Sequence, residues 1–114
     1  MHVIAMEKDM EKLLTAKSLA ETDKVSHKID FMNVEFLNTQ NIKADIVFLE
    51  PVDVRKALDG QGFSIFEDIK PDIESIVKKA LEMSNGNIVL KLPSDTSLEE
   101  ISKLFHSTID ENTM

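Results

Sequence analysis

The chain contains no cysteine, so it can form neither a disulfide bond nor a thiolate metal site. A zinc site would have to combine His2, His27 and His106 with carboxylates. These histidines lie far apart in the sequence and show no short ligand spacing. We therefore predict that the chain holds no metal ion, and its lack of cysteine is compatible with a reducing compartment.

Tryptophan and tyrosine are also absent, and basic residues are outnumbered. Thirteen lysines and arginines stand against 21 aspartates and glutamates, which gives a net charge of −8 at pH 7. Nucleic-acid binders draw much of their affinity from basic side chains and stack bases on aromatic rings. This composition predicts that the chain would contact RNA only indirectly, or after another polypeptide region is added.

Long apolar runs are missing as well: no run approaches the ~18 residues of a membrane-spanning helix, and no signal peptide is apparent. We expect an intracellular protein, cytoplasmic or nuclear, without a membrane segment. Hydrophobic residues make up 42% of the chain, with only three glycines and three prolines, which is typical of a folded domain.

The most informative stretch is ADIVFLEP at residues 44–51. Its four consecutive apolar residues lie between Asp45 and Pro51, which predicts a strand buried on both faces, as in a parallel sheet covered by helices. Asp45 is interpreted as a polar residue at the start of this strand. Ligands of such sheets bind just beyond the carboxyl ends of the strands. That rule singles out the four residues Glu50, Pro51, Val52 and Asp53.

The remaining pattern alternates strands with helices. Strands are predicted over residues 2–6, 28–36 and 87–93, and helices from Asp9 to Ala20, from Pro71 to about Met83, and from Asp95 or Thr96 onwards. Asp9 is predicted to be the N-cap of the first helix, and Ser84, Asn85 and Gly86 to stop the second. The order β-α-β-β-α-β-α predicts an α/β three-layer sandwich with a mainly parallel sheet. We expect one domain over residues 1–105 and a C-terminal tail at residues 106–114, frayed from residue 107.

Four segments of this order resemble class I S-adenosylmethionine-dependent methyltransferases, and more narrowly the trimethylguanosine synthase family, which methylates N2 of guanosine in RNA caps. They are VIAMEKD, IDFMNVEF, ADIVFLEP and NIVLKLP, at residues 3–9, 29–36, 44–51 and 87–93. The resemblance covers about residues 2–105 and implies a partial Rossmann-like methyltransferase core.

The resemblance also implies a cofactor site. Glu7 matches the family's acidic residue that binds the ribose hydroxyls of S-adenosylmethionine, and Glu35 matches the acid that faces the adenine amine. Val34 replaces the glycine that precedes this acid in the family. The family's Ser-Pro-Pro-Trp motif is matched by residues 50–53, of which only Pro51 is kept, and its Leu-Pro-Arg-Asn by residues 92–95, where Ser94 replaces arginine.

Two further parts of the family pattern lie outside these segments. Its glycine-rich cofactor loop would precede His2, and its final strands would follow residue 105. We therefore expect that this chain alone does not bind S-adenosylmethionine and is inactive. If the first strand is absent, the strands at residues 2–6 and 45–49 would become neighbours or leave a gap that favours a protein partner or a homo-oligomer.

Three functions follow as hypotheses. The favoured one is a degenerate, noncatalytic methyltransferase-like domain that acts as an interaction module in a larger complex. The first alternative is a fragment or split part of an RNA cap guanosine-N2 methyltransferase. The second is an unrelated acidic α/β domain whose loop after residue 50 binds a basic partner or a divalent cation. The carboxylates of Glu50 and Asp53 would also suit acid–base chemistry, and the alternative for Glu7 and Glu35 is that they are solvated carboxylates at strand ends.

Overall fold

In the computed structural model of the chain, the described residues are 1–51, 63–70 and 72–110. Their contacts divide into two compact units, an N-terminal unit, Met1–Asn41, and a C-terminal unit, Ile42–Met114. Within the described ranges, no helix combines the length and the apolar character of a membrane span.

The N-terminal unit contains one βαβ element. Strand β1 (Val3–Met6) is followed by helix α1 (Met10–Thr22) and strand β2 (Ile29–Met32), with short 3₁₀ turns on either side of β2. The two strands are parallel, in a register that runs from Val3 opposite Ile29 to Met6 opposite Met32. The predicted strand over residues 28–36 is therefore shorter than expected, since pairing stops at Met32.

Helix α1 begins where the sequence predicts. The Asp9 carboxylate accepts hydrogen bonds from the backbone N–H groups of Glu11, at 3.0 Å, and Lys12, at 3.4 Å, and so satisfies two donors that have no partner inside the helix. Leu13 and Ala20, two turns apart, are the buried residues of α1. The predicted N-cap is confirmed, and the helix packs along a narrow stripe.

The C-terminal unit contains a second parallel strand pair and most of the described core. Its described elements are, in chain order, β3 (Val47–Leu49), α2 (Ile65–Asp68), α3 (Ile73–Ser84), β4 (Ile88–Leu90), α4 (Leu98–Phe105) and a π-helical turn (His106–Asp110). Strands β3 and β4 pair with Val47 opposite Ile88 and Leu49 opposite Leu90. The short helix α2 was not predicted, although the Ser64 side chain caps it by accepting the N–H of Glu67.

Helix α3 ends at the predicted stop. Asn85 adopts a left-handed conformation with φ of 55° and Gly86 follows at φ of 93°, a region that glycine enters without steric cost. At the other end, Asp72 accepts the N–H of Ser75 at 3.1 Å, while Pro71 lies outside the described residues. Between these ends the apolar stripe of α3 is buried, and its buried residues are Ile73, Ile76, Val77, Ala80 and Met83.

Strand β3 is buried on one face only, so the expectation of two buried faces is wrong. Val47 and Leu49 are at most 9% exposed, whereas Ile46 and Phe48 are more than 60% exposed. Successive side chains of a strand point to opposite faces, and α3 packs on the pair formed by β3 and β4 from one side. We call Ile46, Phe48 and Val89, which lies opposite Phe48, the open face of this sheet.

Among the described residues, the strands form two separate two-stranded sheets rather than one. The mixture of helices with parallel strands is confirmed. Buried apolar residues are divided unequally between the two units: in the described residues of the N-terminal unit only Leu13 and Ala20 are buried, and the other ten belong to the C-terminal unit.

Residues 106–110 of the predicted tail are helical rather than frayed. Thr108 is fully buried, and its hydroxyl donates a hydrogen bond to the carbonyl oxygen of Leu104 at 2.7 Å. The apolar side of α4 therefore continues into this turn, which packs on α3. Residues 111–114 lie outside the described residues, and the division of the chain into residues 1–105 and a tail stays a prediction.

Candidate functional site

The carboxyl edge of the β1 and β2 pair brings together the two acidic residues predicted to bind a cofactor. Glu7 directly follows β1, and Glu35 follows β2 by three residues. Because the two strands are parallel, the residues that follow each of them leave the sheet at the same edge. The last ladder bond is made there, from the N–H of Glu7 to the carbonyl oxygen of Met32 at 3.1 Å.

Glu7 is half-buried. Its carboxylate makes no hydrogen bond or ion pair with any residue in the described part of the chain. No described residue therefore occupies either carboxylate oxygen, and each oxygen can accept hydrogen bonds. A carboxylate in this state suits a ligand with two neighbouring hydroxyl groups, as in a ribose, because each hydroxyl can donate to one oxygen.

Glu35 lies at the same edge of the sheet, but its carboxylate already forms an ion pair. Its Oε2 atom is 3.6 Å from the Nζ atom of Lys8, and its side chain is 31% exposed while that of Lys8 is 61% exposed. An ion pair this accessible to water contributes little to stability. A ligand amine could therefore approach Glu35 by displacing Lys8 at small cost.

Asn33 is a third member of the corner that the sequence interpretation missed. Its Nδ2 atom donates to two backbone carbonyl oxygens, those of Glu7 and Lys8, each at 3.0 Å. An asparagine just past a strand end would have been the only signal in the sequence. We call Glu7, Lys8, Asn33 and Glu35 the acidic corner.

The carboxyl edge of the β3 and β4 pair carries the other predicted site residues. Glu50 follows β3 and its Oε1 atom is 3.5 Å from the Nζ atom of Lys91, which follows β4. The strands stay paired up to this point, since the N–H of Lys91 donates to the carbonyl oxygen of Leu49 at 2.9 Å. Among the described residues, Lys91 is thus the ion-pair partner of Glu50, through one carboxylate oxygen of Glu50.

The rest of the predicted motif at residues 50–53 is only partly described. Pro51 is half-buried, while Val52 and Asp53 lie outside the described residues, so the pairing of Glu50 with Asp53 stays a prediction. In the second motif, Pro93 is buried and its carbonyl oxygen accepts the hydroxyl of Thr96 at 2.6 Å, whereas Ser94 is exposed.

No metal centre is formed by the described residues, where no three histidine, aspartate or glutamate side chains are grouped around a common point. His2 lies 2.8 Å from the carboxylate of Asp30 on the neighbouring strand, and both side chains are largely exposed. His2 is therefore a surface residue that pairs with a carboxylate across the strands.

Parallel strands joined through helices, with carboxylates where the strands end, define an α/β architecture, and ligands of such folds generally bind at the carboxyl edges of the sheet. A family model for RNA cap guanine-N2 methyltransferases matches residues 1–113 of the chain. The chain therefore belongs to this family. The predicted family is confirmed, and the alternative of a domain unrelated to methyl transfer is wrong.

Proposed function

We propose that the chain is a fragment or split part of an S-adenosylmethionine-dependent RNA cap guanine-N2 methyltransferase, and that its acidic corner holds the adenosine end of the cofactor. The observation that carries this proposal is the carboxylate of Glu7, half-buried at a strand end and without a partner among the described residues. Family membership supports the reaction class.

In this proposal, each residue of the acidic corner has a separate role that follows from its side-chain chemistry. Glu7 accepts hydrogen bonds from the two ribose hydroxyls, and Glu35 accepts one from the exocyclic amine of adenine. Lys8 neutralises part of the charge next to Glu35 when no ligand is bound. S-adenosylmethionine, when bound, supplies the methyl group, and the chain's own part is to orient the adenosine.

The carboxyl edge of the β3 and β4 pair, where the resemblance places the family's guanine-holding Ser-Pro-Pro-Trp motif, is less complete. Glu50 and Pro51 occupy it, and the Glu50 carboxylate is paired with Lys91. The chain has no tryptophan or tyrosine to stack a guanine base, and stacking is worth ~1 to 3 kcal/mol per base. In this proposal, the base-holding side chains and the glycine-rich cofactor loop come from another polypeptide segment.

The proposal also includes the predicted three-layer sandwich, of which one covering layer would have to come from outside this chain. In the C-terminal unit, α3 covers one face of the β3 and β4 pair, and the open face exposes Phe48 at 61% and Val89 at 50%. Exposed apolar side chains that are contiguous mark a surface for packing. A protein partner or a second copy of the chain would supply the missing layer there.

The test is a titration of the isotope-labelled chain with S-adenosylhomocysteine, followed by nuclear magnetic resonance, which detects millimolar as well as micromolar binding. Because both carboxylates of the acidic corner are already in place, this proposal departs from the expectation drawn from the sequence and predicts weak binding even without the glycine-rich loop, with shifts at the amides of residues 7, 8, 33 and 35. Glu7→Gln should weaken binding about tenfold, since it removes a charged acceptor. Glu21→Gln, which neutralises an exposed acid of α1, is the matched control. A folded chain with no shifts in this corner would refute cofactor binding.

A second candidate function is the noncatalytic interaction domain. The open face and the lysine paired with Glu50 favour it, because neither serves methyl transfer. It predicts a folded chain that ignores S-adenosylhomocysteine but self-associates, with sedimentation velocity giving a mass above 12.9 kDa that Phe48→Ser lowers to the monomer value. A chain that stays monomeric at all concentrations and binds the ligand would exclude this candidate.

A further inference from the structure

The amide of Asn33 joins the end of β2 to the turn that carries Glu7. We infer that Asn33 is a positioning residue, which sets the direction of the Glu7 side chain for recognition of a ribose diol. This inference rests on the proposed function of the acidic corner. It assigns a role to a residue that neither matches a family motif nor carries a charge.

The orientation of the Asn33 amide follows from its partners. Both are carbonyl oxygens, which only accept hydrogen bonds, so the nitrogen and not the oxygen of the side chain must face them. One Nδ2 atom carries two hydrogens and can serve both carbonyls at once. Aspartate has nearly the same shape but cannot donate when ionised, and its charge would face two carbonyl oxygens.

The backbone of Glu7 is held by one hydrogen bond on each side of its Cα atom. The N–H of Glu7 is held by the carbonyl oxygen of Met32, and the carbonyl of Glu7 is held by Asn33. The peptide groups on both sides of the Glu7 Cα atom are thus tied to β2. Because these groups determine where the Cα–Cβ bond points, β2 sets the direction in which the carboxylate leaves the backbone.

The turn is held at its next residues as well. Asn33 binds the carbonyl of Lys8, and Asp9 caps the first turn of α1 through the N–H groups of Glu11 and Lys12. The backbone from Glu7 to Asp9 is therefore restrained over three successive residues. Ligand recognition requires placement of side chains to within about 0.5 Å, which such restraint provides.

Stability alone does not account for this arrangement. Asn33 is exposed, so water could take over its two bonds to the carbonyls with little loss of folding free energy. The consequence of losing Asn33 should therefore appear in ligand affinity and in the local dynamics of the turn.

The experiment compares Asn33→Asp with the matched control Asn38→Asp, which places the same charge at an exposed position of the same unit. Two quantities are measured: the dissociation constant for S-adenosylhomocysteine and the exchange rate of the Glu7 amide hydrogen. We expect Asn33→Asp to weaken binding about tenfold and to speed this exchange about tenfold, and Asn38→Asp to change neither by more than about twofold.

A double mutant separates positioning from a general effect. In a Glu7→Gln chain, Asn33→Asp should change the dissociation constant by less than about twofold, because the acceptor that Asn33 positions is already impaired. Wild-type affinity in Asn33→Asp, with binding still sensitive to Glu7→Gln, would overturn the role of Asn33 while the proposed function stands. No binding by the wild-type chain would overturn both.

Discussion

Two adjacent residues of β3 give the sharpest test of the fold. Leu49 is 8% exposed and faces the core of the C-terminal unit, whereas Phe48 is 61% exposed on the open face. We predict that Leu49→Ala lowers the free energy of unfolding by much more than Phe48→Ala, although phenylalanine is the larger side chain.

The magnitudes follow from the carbon atoms that leave the core. Leu49→Ala removes three carbons at ~0.8 kcal/mol each and leaves a partly collapsed cavity, so we expect a loss of about 3 kcal/mol. Phe48 has only about two-fifths of its surface shielded, and since full burial of such a side chain is worth ~1.5 to 3 kcal/mol, its truncation should cost about 1 kcal/mol or less.

The assay is urea denaturation monitored by circular dichroism, at a chain concentration low enough to keep the protein monomeric. Both variants should unfold with the wild-type dependence on urea, so that the shift in midpoint reports stability. Equal losses of ~3 kcal/mol or more for the two variants would refute the one-faced strand and restore the expectation of a strand buried on both sides.

Two further substitutions test the ends of helices. Gly86→Ala should cost about 1 to 2 kcal/mol from backbone strain alone, because φ is 93° and the added Cβ would meet no atom within 4 Å; a thermal melt with no change would contradict this conformation. Asp9→Ala should cost about 1 kcal/mol and Asp9→Asn much less, since asparagine keeps the acceptor; similar melting temperatures for the two would argue against the cap.

The sequence allowed the local signals to be predicted well. Asp9 was predicted as a cap from its position before an apolar stripe, and the end of α3 from Asn85 and Gly86, because capping and left-handed residues act over three or four positions. Glu7 and Glu35 were placed at strand ends by the resemblance, and the parallel pairing of β1 with β2 brings those ends to one edge.

Properties that depend on distant packing could not be predicted. The apolar run around Phe48 is compatible with one or two covered faces, and only the position of α3 decides between them. The ion pair between Glu50 and Lys91 joins residues 41 positions apart, and the two hydrogen bonds of Asn33 join residues 26 and 25 positions apart. No periodicity in the sequence marks such contacts.

The unequal division of the core has a consequence for how the chain tolerates mutation. In the N-terminal unit the buried residues are Leu13, Ala20 and Thr39, so few positions there are constrained by packing. A scan of all substitutions over residues 1–41, selected only for folding, should therefore be permissive outside these three positions and the Asp9 cap. The same scan selected for ligand binding should add intolerance at Glu7 and Asn33 to the few positions that folding constrains. Substitutions in this unit could therefore locate its binding site without a structure.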